Sequence, residues 1–429
     1  MTPPKTISEL ERLRDENARL QVLLHFAQNL QTELKLENLL LTTMQEVARI
    51  LKADRCSVFL LDEAKGELWS IVALGIERGK EIRFPAEKGL AGYVAMTGEI
   101  LNIPDAYQDP RFNQEIDKKT GYHTRTILTT PLKNKQNEII GVVQILNKKD
   151  GVFDARDEEL MMALSQIAAT AIENSLLYQE QVESLYSFVE TLSAALDTRD
   201  YITAGHSRRV TQYTLALCEI LEMDESCCEQ LRVAGLLHDI GKLGIPESIL
   251  FKKGKLTEEE YKIIKNHPAV TREILQSIRF PRNLKKVPNI AATHHEKFDG
   301  SGYPDGLKGE EIPLGGRIMA MADVFDALTS LRQYRDREPL EVVWERLEKD
   351  SGTAFDPDMP DFFGRISTRR ILEIIEPDVL KSDLADKLAR FEKIPLIDIV
   401  QLKRKTPENM TIAEQEILDL FDKIYWRQY

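Results

Sequence analysis

Five of the seven histidines in this 429-residue chain fall into one ordered pattern with two aspartates. The set is His206, His238-Asp239, His267, His294-His295 and Asp323. Imidazole and carboxylate hold divalent transition metals such as iron, manganese and zinc. Seven such side chains are too many for one tetrahedral structural site. They suit two metals sharing a bridging carboxylate, an arrangement that ionises water near neutral pH for hydrolysis. The natural allocation puts His206, His238 and Asp323 on one metal and His267, His294 and His295 on the other. Asp239 bridges them, because adjacent residues on a helix point about 100° apart and serve different neighbours.

Helical patterns must deliver these ligands. Thr203 is a candidate N-cap for a helix that carries His206 on its first turn, followed by Val210, Tyr213, Leu217 and Ile220. A second helix, 230–237, presents His238-Asp239 and stops at Gly241-Lys242. A third opens at Thr257, has Glu258, Glu259 and Glu260 in its first turn, and brings His267 near its end. Residues 289–295 form a fourth, and 316–331 a fifth with Asp323. Ligands projecting inward from several helices are the usual plan of a bundle-core metal site.

The order and spacing resemble the HD superfamily of metal phosphohydrolases, and more narrowly its HD-GYP subgroup. The resemblance spans roughly 200–360 and rests on HDIGKLGIP (238–246), His267, HHEKFDGSGYPDGL (294–307) and RIMAMADVFDALTSLRQYR (317–335). It implies an all-α domain that hydrolyses cyclic di-GMP to the linear dinucleotide pGpG, and sometimes on to GMP. Two divalent ions, iron or manganese by ligand type, are expected. Within this frame Asp239 and Lys242 are the catalytic candidates. Lys242, Tyr303, Arg332 and Arg335 are the substrate contacts, with the arginines suited to a phosphate or a guanine edge. Glu296, Asp299 and Asp326 are expected to support the ligands, the first two by orienting imidazoles. Lys242, Asp326 or a water on a metal each qualify as donor of the leaving-group proton. Members with a third metal are similar in placing a Glu four residues before the first ligand His, where this chain has Ile202. Two metals are therefore expected, and hydrolysis as far as GMP is in doubt.

Upstream, residues 55–61 and 68–74 read as strands around a turn at 62–67, and 127–132 and 139–146 as a second pair. With helices at both ends and a loop-rich middle at 87–122, this is an α+β sensor layout with room for a small molecule. The segment resembles a GAF domain over roughly 20–175, on its strand order, Gly89-Leu90-Ala91-Gly92, RTILTTPL (125–132) and the set Asn147, Lys148, Phe153, Asp157 and Glu158. That last set fits the NKFDE signature of GAF domains similar to those that bind cyclic nucleotides. A cyclic nucleotide is one candidate ligand. The alternative is structural, a Lys148–Asp157 ion pair pinning the last strand to the exit helix over Phe153.

Two heptad runs complete the plan. Leu10, Leu13, Asn17, Leu20, Leu24 and Ala27 mark a short coiled coil or a packed amphipathic helix. From Leu160 a four–three spacing runs through Leu164, Ile167, Ala171, Asn174, Tyr178, Gln181, Leu185, Phe188, Leu192 and Ala195 without Pro or Gly. It predicts a signalling helix in a parallel homodimer. The expected organisation is an N-terminal helix 1–28, a sensor 29–175, a linker helix 176–197, a phosphohydrolase domain 198–365 and a helical extension 366–429. A net charge of −13 argues against a general nucleic-acid binder but not against a small anion. No apolar run approaches a membrane span, the N-terminus is too charged for a signal peptide, and four cysteines lack framework spacing. A cytoplasmic enzyme is the expectation. The rivals are a non-hydrolytic cyclic di-GMP receptor and a phosphohydrolase of another cyclic nucleotide.

Overall fold

The computed structural model describes residues 5–31, 33, 35–70, 82–114, 117–118, 121–199, 205–252, 254–331 and 336–427. Ile202, Thr203, Arg332 and Arg335 lie outside the described residues. The chain divides into two compact units, Met1–Glu183 and Ser184–Tyr429.

The first unit is built on an antiparallel sheet. Its strands are β1 (Ala53–Asp62), β2 (Glu67–Ser70), β3 (Ile82–Pro85), β4 (Leu101–Ile103), β5 (Ile127–Lys133) and β6 (Ile139–Lys148), in the order β3-β2-β1-β6-β5-β4. Alternation along β1 and β6 sends Val58, Leu60, Val143 and Ile145 to one face and Phe59 and Val142 to the other. The first face is covered by the Leu36–Ile50 helix, through Leu40, Met44 and Val47, and by Leu164, Ala168 and Ile172 of the Ala155–Arg199 helix. The short Gly89–Thr97 helix covers the second with Ala91, Val94 and Ala95. Both strand pairs expected from sequence are present; the proposed end of the second strand, 71–74, is outside the described residues.

The Lys5–Gln31 helix leaves heptad leucines exposed in the single chain and buries other residues. Leu13, Leu20 and Leu24 are exposed, whereas Phe26 and Leu30 are fully buried in the sheet-side core. The Ala155–Arg199 helix likewise buries Met161, Leu164, Ala168, Ala169 and Ile172, one face round from most of the expected seam. Tyr178 and Phe188 of that seam are exposed in the single chain. Among the described residues this is the one helix long and apolar enough, by length and composition, to cross a membrane, with 39% of the qualifying window buried. This corrects the expectation that no apolar run approaches a membrane span; the helix's apolar residues include Ala168, Ala169 and Ile172, buried against the sheet.

The second unit is all helical. One core runs from Val189 and Val210 through Leu237, Phe325 and Trp344 to Ile371, Phe391, Phe421 and Tyr425. The last stretch of chain therefore packs into the same core as the histidine-bearing helices. Arg337 and Glu376, both buried, form an ion pair there, and Arg337 also donates to the Tyr425 carbonyl. The Tyr425 hydroxyl donates to the Glu338 carbonyl at 2.7 Å.

Asn147 closes β6 in the left-handed region, at φ 55°. Its buried side chain accepts from the Arg125 and Thr126 N–H groups at 2.6 and 3.3 Å and donates to the Tyr122 hydroxyl and the His123 carbonyl. Asn147→Ala removes four hydrogen bonds and leaves alanine at a positive φ. A loss of about 3 kcal/mol is expected, to be read from urea denaturation of the full chain.

Candidate metal centre

His206 begins the His206–Ile220 helix. The residue before it, Gly205, has φ 71° and donates its N–H to the Asp197 carboxylate at 2.7 Å. Gly205, rather than Thr203, thus stands at the N-cap. The next helix, Glu225–Leu237, is opened by Asp224, whose side chain accepts from the Cys227 N–H. The two helices approach closely at Gly235, where a Cβ would lie 2.6 Å from Thr211 Oγ1. This brings the His206 and His238 rings to 5.4 Å.

A 3-10 turn, Ile240–Gly244, follows His238-Asp239. Thr271 locks it: its hydroxyl accepts from the Gly241 N–H and donates to the His238 carbonyl. His267 does not end the third helix, as its spacing suggested. The Glu258–Lys265 helix, opened by a Thr257–Glu260 capping box, stops first, and His267 starts a new helix, His267–Gln276, with proline in its first turn. Proline lacks the N–H that continuation would need, which explains the break. His294 and His295 follow the Val287–Ala292 helix, and Asp323 and Asp326 lie three apart on Leu314–Thr329.

The side chains converge. Ligand atoms of His206, His238 and Asp323 lie within 4.8 Å of one another, as do those of His267, His294 and His295, and of His238, Asp239 and His294. The two triads are those allocated from the sequence. Asp239 stands between them. One oxygen is 3.4 Å from His238 Nε2 and 3.9 Å from His206 Nε2, and the other is 3.3 Å from His267 Nε2.

Hydrogen bonds aim these rings. The Nδ1 atoms of His238, His267 and His294 lie 2.8, 2.8 and 2.6 Å from the carbonyls of Gly235, Ile264 and Ala291. A carbonyl only accepts, so each Nδ1 donates and Nε2 is the nitrogen turned inward, the one whose lone pair can bind a metal. His267 and His294 Nε2 are 3.3 Å apart. Two such lone pairs facing each other repel, and a cation between them relieves that repulsion. The donor set fits divalent metal ions, with inward-turned nitrogens, ionised oxygens and buried backing groups.

Electrostatics agree. Burial holds His238 below its ordinary value, His294 well below and His295 at about 4. Burial works against ionised Asp239, but Lys242 and the imidazoles keep it well below the usual carboxylate range. Asp323 is lowered against burial by His206. His206 differs: burial pushes it down, but bonds to Asp323 and Asp326 prevail and raise it to about 10. A cation at its Nε2 must displace that proton.

The remaining candidates sort as follows. Lys242 Nζ is 2.6 Å from Asp239. Asp326, fully buried, lies 2.7 Å from His206 Nδ1 and also accepts from Arg209, a residue the motifs did not single out. Tyr303 lies against His295 with ring centres 4.9 Å apart and planes tilted by 38°. Glu296 is a correction. Its carboxylate accepts the N–H groups of Asp305, Gly306 and Leu307 instead of an imidazole, because the tight 302–307 turn leaves those donors otherwise unmet. Asp299 similarly accepts from the Ser301 N–H.

In the first unit, Lys148 and Asp157 form the expected ion pair at 2.5 Å, and Phe153 is buried. Glu158 accepts from Asn102 at 2.7 Å. All five signature side chains are engaged in contacts within the unit.

Gly241 permits the closest approach in the centre. A Cβ there would stand 2.0 Å from the His267 carbonyl oxygen and 2.7 Å from the Thr271 nitrogen, both backbone atoms. Gly241→Ala is expected to part the Asp239 and His267 segments, costing about 3 kcal/mol or more and lowering the bound metal per chain. Elemental analysis beside thermal unfolding checks both.

Residues 35–172 match the GAF domain and residues 190–359 the HD domain. A cyclic di-GMP phosphodiesterase of Thermotoga maritima is 40% identical over 186 residues, which are 43% of this chain and 50% of that protein. The 3'3'-cGAMP-specific phosphodiesterase 2 of Vibrio cholerae is 40% identical over 202 residues, 47% of this chain and 38% of that protein. The cyclic di-GMP phosphodiesterase response regulator RpfG of Xanthomonas campestris is 39% identical over 191 residues, 44% of this chain and 50% of that protein. The chain spans half or less of the length of these relatives. Sequence match and architecture agree that this chain carries a GAF domain followed by an HD domain.

Proposed function

We propose that the chain is a metal-dependent phosphodiesterase of the HD-GYP type that opens cyclic di-GMP to linear pGpG. The observation that carries this reading is the Asp239 carboxylate standing between two triads, each with two buried histidines and one partly exposed member. His206, His238 and Asp323 would hold one ion, His267, His294 and His295 a second, and Asp239 would bridge them. Bound there, two divalent ions, iron or manganese, supply Lewis acidity to the phosphate and a nucleophile from water. Asp326 and Arg209 hold the His206 ring in place. Lys242 brings positive charge to the bridging carboxylate and to any phosphate that enters. The Tyr303 ring, tilted against His295, offers an aromatic wall beside it. The named activities of the relatives support the reaction class. One of them being specific for 3'3'-cGAMP makes a mixed cyclic dinucleotide the second reading.

The GAF domain is the regulatory part in this proposal. We infer that it acts through a homodimer joined along the Ala155–Arg199 helix. Exposed Tyr178 and Phe188 on the expected seam support a second copy there. Phe188→Asp is expected to shift the molecular mass seen by light scattering from dimer toward monomer; an unchanged mass would put the dimer contact elsewhere.

Protein purified without oxygen is expected to hold two metal ions per chain and to release pGpG from cyclic di-GMP with iron or manganese. Asp239→Ala should abolish product. Product that continues to GMP would show that a carboxylate at position 202 is dispensable for the second step. Tight binding with no product under either metal would make the chain a receptor.

A further inference from the structure

Among the described residues, His295 and Asp323 are the most exposed of the metal-ligand candidates. Side chains of His206, His238 and His267 are 5% exposed or less, and His294 is buried. His295 is 28% exposed and Asp323 15%. His295 is the most accessible of these ligands, so a phosphodiester meeting the site there lays the rest of its molecule over what surrounds that ring. Three side chains stand there in sequence. Tyr303 packs against His295 with ring centres 4.9 Å apart and planes tilted by 38°. Lys265 Nζ lies 5.2 Å from the Tyr303 ring centre and 4.8 Å from that of Tyr261. Tyr261 is half-exposed. No carboxylate pairs with Lys265 among the described residues.

The supports of this rim are rigid. Tyr303 sits in a turn whose backbone is held by Glu296 and by the Arg272–Asp305 ion pair, and its own N–H donates to the His295 carbonyl. Lys265 is in the last turn of the Glu258–Lys265 helix, two residues before the ligand His267. The ammonium is thus carried to the mouth by the same backbone that carries a metal ligand.

We propose that Lys265, set between the Tyr303 and Tyr261 rings, receives one purine of the cyclic dinucleotide and selects guanine at that place. This rests on the phosphodiesterase reading above. A flat base finds aromatic faces to lie against. An ammonium only donates. Guanine offers it two acceptors along one edge, N7 and O6, whereas adenine sets the N6 amino donor beside N7. The rim therefore favours cyclic di-GMP over the mixed GMP–AMP ring whenever the base placed on it is adenine. Lys265 acts here on substrate choice, separately from bond cleavage at the metals.

The test compares Lys265→Met and Lys265→Arg with the parent protein, on cyclic di-GMP and on 3'3'-cGAMP. Lys265→Met is expected to raise KM for cyclic di-GMP roughly 10- to 100-fold, with kcat little changed and metal content retained. The preference between the two nucleotides should shrink with it, and Lys265→Arg should recover most of the loss. Binding of cyclic di-GMP to metal-free protein, by calorimetry, should weaken in parallel. An unchanged KM in Lys265→Met, in a parent that cleaves, would overturn the base contact and leave the phosphodiesterase standing. A fall in kcat with equal effect on both nucleotides would also overturn it. A parent that neither binds nor cleaves either nucleotide would overturn both readings.

Discussion

Asp239 and the inward-turned imidazole nitrogens around it impose the constraint on which the second unit depends. Four histidines and a carboxylate are buried together at this point, and His267 and His294 turn their Nε2 atoms toward each other at 3.3 Å. Burying polar atoms without partners is costly. The fold answers by giving the outer nitrogen of three of these rings a backbone carbonyl three residues earlier. His206 has Asp326 in that role. Every ring is then oriented before a cation arrives, and the inner nitrogens are left to it.

Such a centre needs short distances between helical segments, and small residues supply them. Gly235 lets the His206 and His238 helices meet at Thr211, and Gly241 lets the Asp239 turn lie on the backbone at His267. Gly316 has Thr293, immediately before His294, against it. In each place a methyl group would force apart two segments that both bear ligands. The apolar core around Val210, Leu237 and Phe325 then holds the helices at that spacing. Its extension to Phe391, Phe421 and Tyr425 makes the C-terminal stretch part of the same packing.

The first unit follows another logic. Its sheet separates two apolar layers, and the polar groups that remain are used to tie loops and helices to strand ends. Asn147 gathers the 122–126 segment, and Lys148 joins β6 to the following helix through Asp157. Asp117, also buried, accepts from the Thr124 N–H and hydroxyl and from Tyr107. A signature that reads as a ligand motif in sequence is, in this arrangement, also the stitching of the domain.

The composition of the metal centre was legible in the chain. Histidine is rare here, its spacing relative to two aspartates divided the ligands into two triads, and the structure brings those triads together. The strand pairs were legible too, since alternation is a local property. What sequence could not supply was anything decided by distant neighbours. Heptad spacing pointed to Leu13, Leu20 and Leu24, which are exposed in the single chain, while Phe26 and Leu30 of the same helix enter a core shared with the Leu36–Ile50 helix and the sheet. Glu296 looked like a partner for imidazole, yet the unmet N–H groups of a turn nine residues on claim it. Arg209 had no motif to mark it, and only the fold sets it beside Asp326, 117 residues away. Residue type and order thus determined which atoms can bind a metal. Tertiary packing decided where their lone pairs point, which charges back them and which of them stay exposed, since those depend on contacts between segments far apart in the chain.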